Sequence, residues 1–199
     1  MDFITHYCSP IGRMRLASDG EALSGLWFEG QRYFSETLSR KYEERSDLAI
    51  FNATRAWLDA YFSGKKPDFT PQLLLRTSDF RKKVWTMLLG IPFGQTTTYG
   101  AIAQQIARAR GLSSMPARAV GRAIGHNSIA LIVPCHRVVG SGGRLTGYAG
   151  GIDRNSGCCN WKRWKLVQIN EMTWKKVMRI VASGAFMILL AQCHETGKL

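Results

Sequence analysis

The chain has no apolar run long enough to cross a membrane. The longest, Ile180 to Cys193, covers 14 of its 199 residues, against the roughly 20 that a bilayer core demands. Its first residues, Met1-Asp2-Phe3-Ile4-Thr5, carry neither a basic stretch nor a long apolar one, so no secretory signal is visible. Cysteine is scarce and odd in number: the five, at 8, 135, 158, 159 and 193, have no regular spacing. That argues against a secreted disulfide framework and for a reducing compartment, with the cytoplasm as the expected location. Acid is short as well, with 14 Asp and Glu facing 27 Lys and Arg for a formal net charge of +13.

The shortage of acid is local. Through Arg76 ten basic residues face ten acidic ones, from Thr77 to Asn155 ten face two, and from Ser156 onward seven face two. A neutral part joined to a basic one predicts a scaffold domain over 1–76 and a polyanion-binding domain over 77–170, with a tail over 171–199. In the first part, short runs around Ser9-Pro10-Ile11-Gly12 and Asp19-Gly20 read as a small antiparallel sheet. Residues 33–46 are charged and helix-compatible. From Phe51 to Phe62, Ala53, Trp57, Ala60 and Tyr61 share one face of an amphipathic helix and are read as core. This half offers no catalytic grouping.

The second part holds three helical segments. The first runs from Thr77 or Ser78 to about Leu89, with Phe80, Val84, Trp85 and Leu88 on one stripe. The second covers Ala101 to Ala109, and the third, opened by Pro116, runs to about His126. The last two form a helix-turn-helix pattern whose second member carries Arg118 and Arg122. A buried, strand-like approach from Ile129 to Val133 then leads to Pro134-Cys135-His136-Arg137-Val138. The thiolate is the reactive form of cysteine and its pKa falls beside His or Arg, so Cys135 with His136 is a candidate nucleophile centre. A buried structural thiol is the plainer alternative.

Arg118-Ala119-Val120-Gly121, then Asn127, then the Pro-Cys-His-Arg-Val run and Gly147-Tyr148-Ala149-Gly150-Gly151 resemble the active-site block of the O6-alkylguanine-DNA alkyltransferases. The match spans roughly Phe80 to Arg154. It implies an α+β protein: an N-terminal small antiparallel sheet with helix, ribonuclease-H-like, and a C-terminal winged-helix-like DNA-binding domain. It also implies irreversible, stoichiometric transfer of an alkyl (methyl) group from O6 of guanine in double-stranded DNA to Cys135, by a monomer without cofactor or metal. In the matched motifs His136 would take the thiol proton through a water, and Asn127 would be the hinge between recognition helix and active-site loop. Tyr99 would assist rotation of the phosphate and donate to the departing guanine. Tyr148 would line the pocket, with the Ala149 amide near O6 and the Val138 carbonyl accepting from the exocyclic amine. Arg118 would fill the duplex when the base leaves the stack and Arg122 would bind DNA beside it, on a helix whose small residues Ala117, Ala119, Gly121 and Ala123 suit close approach to a minor groove. An alkyl carbon on O6 is an SN2 centre, which a polarisable thiolate suits.

The pattern breaks after Asn155. Family members continue into a helix ending in His-Glu, whose glutamate orients the catalytic histidine. Here that position falls at Ile169, with Glu171 the nearby acid. The tail is rich in Trp, Met, Lys and Cys, as a frame change in the gene or its reading would produce. Loss of the glutamate leaves an alternative, a non-catalytic module that binds alkylated DNA. A thiol hydrolase using Cys135 and His136 would leave Arg118 and Arg122 unexplained. Cys158, Cys159, Cys193 and His194 lack the spacing of a structural zinc site.

Overall fold

Three strands open the chain: β1 (Asp2–Ser9), β2 (Gly12–Ser18) and β3 (Leu23–Phe28), paired antiparallel in sequence order. The turn between β1 and β2 needs a left-handed residue, which Gly12 supplies at φ 128° without the Cβ clash another residue would suffer. In the computed structural model, which describes residues 1–144, β3 is buried along its whole length. One face of the sheet presents Met14, Leu16, Leu26 and Phe28 to the main core, which α1 (Ala49–Phe62) joins through Phe51, Leu58 and Tyr61. The other face presents Ile4, Ala17 and Trp27 to a smaller core covered by Phe34 and Leu38. Period-two alternation of side chains requires two such faces.

Residues 33–46 differ from the helical expectation. They form turns with Tyr33 at φ 62° and Ser35 at φ 56°, then a short strand, β4 (Tyr42–Glu44), parallel to β1 at Asp2–Ile4. The sheet order is therefore β3-β2-β1-β4, antiparallel except at that edge. The open edge of β1 carries unpaired backbone groups that a strand satisfies and a helix cannot. Phe34 and Leu38 are meanwhile drawn onto the outer face of the sheet. Left-handed backbone at two non-glycine residues costs on the order of 1 kcal/mol each, which those contacts offset. Asp2 anchors the same edge, accepting from Arg76 Nη1 at 2.6 Å and from the Ser39 amide at 2.8 Å.

Three helices follow: α2 (Asp79–Leu89), α3 (Tyr99–Ala109) and α4 (Ala117–Gly125). The predicted stripe on α2 holds, with Val84, Trp85 and Leu88 buried and the Trp85 indole donating to the Ala123 carbonyl at 2.8 Å. That bond fixes α2 against α4. Thr98 caps α3 by accepting from the Ala101 amide at 3.1 Å, the usual way to satisfy an orphan donor at a helix start. The Thr97–Thr98 strand, β5, pairs in parallel with β6 (Val138–Val139) just beyond the cysteine.

The approach to that cysteine is buried from Ile129 to Val133 but strand-like only at Ile129, which bridges to Leu26 of β3. Leu26 donates to Ser128 and accepts from Ala130, both at 2.8 Å. Leu131 then turns at φ 67°. The N-terminal sheet thereby grips the segment that delivers the thiol. All described residues belong to one compact unit.

Candidate active site and nucleic-acid interface

Pro134 ends regular backbone pairing, and Cys135 opens a single turn of 3-10 helix, Cys135–Arg137. Its thiol is 6% exposed and is the free cysteine among the described residues. The buried Asn127, just past the end of α4, uses its whole carboxamide there. Nδ2 donates to the Val133 carbonyl at 2.8 Å and to Cys135 Sγ at 3.0 Å, while Oδ1 accepts from the Ile129 amide at 3.0 Å. The end of α4 and the thiol are thus joined through one side chain. Burial pushes the thiol up to about 11, opposed by the Asn127 donor and by the Cys135 and His136 amides. At neutral pH the sulfur holds its proton.

His136 is fully buried, with Nε2 3.2 Å from the Tyr61 hydroxyl. Tyr61 comes from α1 of the N-terminal domain, stacks on Trp57 at 5.2 Å between centroids and meets His136 edge-on at 6.1 Å. Read from sequence it is one more core aromatic. Its ring is indeed core, and only the fold shows that its hydroxyl reaches the histidine. Arg137 is also buried; its guanidinium donates to the Ile91 carbonyl and lies 5.6 Å from the Phe93 ring. Burial lowers its pKa.

The predicted DNA-facing residues share the outer side of α4. Arg118 and Arg122 are exposed, and Ala119 and Gly121 between them are partly so. Gly121 lies over Tyr99, where an added Cβ would stand 3.8 Å from the ring, an ordinary contact. A groove of about 390 Å³ separates the start of α4 from the start of α2, lined by Ser78, Phe80 and Arg81 on one side and Pro116, Arg118, Ala119, Arg122 and Ala123 on the other. Sequence reasoning missed Ser78 and Arg81 as part of this face, because only packing sets the two helix starts side by side. Val138 is buried on β6. Tyr148, Ala149, Ile169 and Glu171 lie outside the described residues. Among the described residues no group of three His, Cys, Asp or Glu could hold a metal ion, and no helix is long and apolar enough to cross a membrane.

Fold and site together define a protein in which an N-terminal sheet and helix pack on a helical part that carries a shielded thiol just beyond α4. The comparisons narrow that class. Residues 3–75 match the 6-O-methylguanine DNA methyltransferase ribonuclease-like domain, and residues 79–162 match the DNA binding domain of the same family. A methylated-DNA–protein-cysteine methyltransferase of Mycobacterium tuberculosis is 47% identical over 146 residues, 73% of this chain and 83% of that protein. One from Methanosarcina acetivorans is 41% identical over 145 residues, 73% of this chain and 88% of its own length. The crystal structure of Mycobacterium tuberculosis OGT in complex with DNA aligns at a TM-score of 0.68 and 42% identity, covering 80% of this chain and 92% of that one. The chain belongs to the 6-O-methylguanine DNA methyltransferase family.

Proposed function

We propose that this protein repairs DNA by direct reversal, acting as a methylated-DNA–protein-cysteine methyltransferase in a single turnover. The substrate is O6-alkylguanine in double-stranded DNA, and Cys135 is the acceptor. The observation that carries the reading is the 3.0 Å contact from Asn127 to Cys135 Sγ, which ties the thiol to the end of a basic helix. His136 removes the thiol proton. Sγ then attacks the alkyl carbon, a C–S bond forms, the C–O6 bond breaks, and guanine leaves with the proton returned to it. The product thioether is stable, so each molecule acts once.

The target carbon is inaccessible in a stacked duplex, so the nucleotide must leave the stack at a cost of about a few kcal/mol. Arg118 fills the vacated space; Ala119 and Gly121 let α4 approach closely; Arg122 contacts phosphate. Tyr99 guides the phosphate and the departing ring, and Val138, Tyr148 and Ala149 hold the base. The functional division is a scaffold over 1–76, the DNA-binding and transfer domain over 77–170, and an atypical tail over 171–199. The protein works as a cytoplasmic monomer.

Intact mass after incubation with duplex DNA carrying one O6-methylguanine tests this reading. The expected result is a stoichiometric gain of one methylene, absent in Cys135→Ala. Binding to that duplex with no mass change would overturn transfer and leave a lesion-binding protein.

A further inference from the structure

The loop between β3 and β4 does more than close the sheet. Phe34 and Leu38 seat it on the outer core, and Arg15 secures it from β2, with its guanidinium 4.8 Å from the Phe34 ring and Nη1 donating to Ser35 Oγ at 3.2 Å. Between these anchors, left-handed backbone at Tyr33 and Ser35 turns two side chains toward the other domain. The Tyr33 ring stacks on the His126 imidazole at 3.9 Å between centroids and 23° between planes. Glu36 Oε2 stands 3.1 Å from His126 Nδ1. His126 is the C-terminal cap of α4, and the next residue is Asn127.

We propose that Tyr33 and Glu36 are positioning residues for alkyl transfer: by fixing the His126 imidazole they hold Asn127, and with it the donor on Cys135 Sγ. The inference rests on Cys135 being the acceptor. Asn127 makes three hydrogen bonds from one carboxamide, and such a group works only when its backbone is held to a fraction of an ångström. Ser128 and Ala130 are pinned to Leu26 on the downstream side. His126 is the corresponding anchor upstream, gripped by a ring and a carboxylate from the N-terminal domain. Tyr33 accepts a strained backbone so that its ring can reach there. Both act on His126 at the C-terminal end of α4, eight residues beyond Arg118, so their effect should fall on the chemical step.

Single-turnover transfer on O6-methylguanine duplex, measured in the full chain, separates the first-order constant at saturating protein from Kd for the DNA. Tyr33→Ala and Glu36→Ala are expected to lower the first-order constant about tenfold, the size of effect a small misplacement produces, with Kd unchanged. Tyr33→Phe keeps the stacked ring and Glu36→Gln keeps the hydrogen-bond acceptor, so both should restore the rate. A second readout needs no DNA: the pH dependence of iodoacetamide labelling at the Cys135 peptide. Its midpoint should move upward in the two alanine variants, because the sulfur loses a donor that stabilises its thiolate. Unmoved rate and midpoint would overturn the proposal, as would equal losses in the Phe and Gln variants. A wild-type protein that accepts no methyl, with the labelling midpoint still responding, would sink the transfer reading and leave the coupling intact.

Discussion

Cys135 is surrounded by groups that pull its proton in opposite directions. Burial raises the thiol to about 11, while Asn127 and two backbone amides favour the thiolate. The net result is a thiol that keeps its proton at neutral pH, which on the proposed reading holds the acceptor unreactive until a base and substrate are in place. The stability consequence has a definite sign. Relative to an ordinary thiol near 9, the folded state retains a proton that the unfolded chain releases, so stability is full below pH 9 and falls as pH rises toward 11. Wild type is expected to lose about 2 kcal/mol more than Cys135→Ala across that window, measured by urea denaturation at a series of pH values. Equal losses would mean the thiol is not shielded as described. Tyr61 illustrates the other side of the residue scale, one side chain whose ring belongs to the core and whose hydroxyl belongs to His136.

Among the elements, β3 carries the greatest demand. It is buried on both faces and is the strand that grips Ser128 and Ala130. Its Gly25 lies beneath the Trp27 ring, where an added Cβ would fall 1.8 Å from the indole. Gly25→Ala must therefore displace Trp27 from the outer core or move the strand, at a cost of about 2 kcal/mol or more. A lower denaturation midpoint with an unchanged slope is the expected outcome. Because Phe34 packs against Trp27 at 6.4 Å between centroids, the same substitution should also loosen the Tyr33 loop and slow transfer. An unchanged midpoint would show that the indole has room to shift.

At the scale of the molecule, a neutral domain supports a basic one, and three of its arginines, Arg81, Arg118 and Arg122, line one groove between the starts of α2 and α4. Binding to DNA should weaken steeply with salt, since each neutralised phosphate releases counterions. Arg81→Ala is expected to reduce the slope of log K against log salt by about one phosphate contact, with no change in the transfer constant at saturation. Fluorescence anisotropy at several salt concentrations would measure it; an unaltered slope would remove Arg81 from the interface.

Much of this was legible without coordinates, because it depends on near neighbours in the chain. The stripe on α2, the helix-turn-helix pair and the Pro-Cys-His-Arg-Val turn follow from periodicity, capping and proline, all local effects. Residues 33–46 misread as helix because their composition permits one, and only the open edge of β1 and the outer core decide otherwise. Tyr61 on His136, Tyr33 and Glu36 on His126, and Arg81 beside Arg118 and Arg122 were invisible for the same reason. The sequence by itself determined the three helices α2 to α4, the antiparallel pairing of the first strands and the Cys-His turn. Tertiary structure alone decided which side chains surround that turn, because those contacts join residues up to 93 positions apart and depend on how two domains pack.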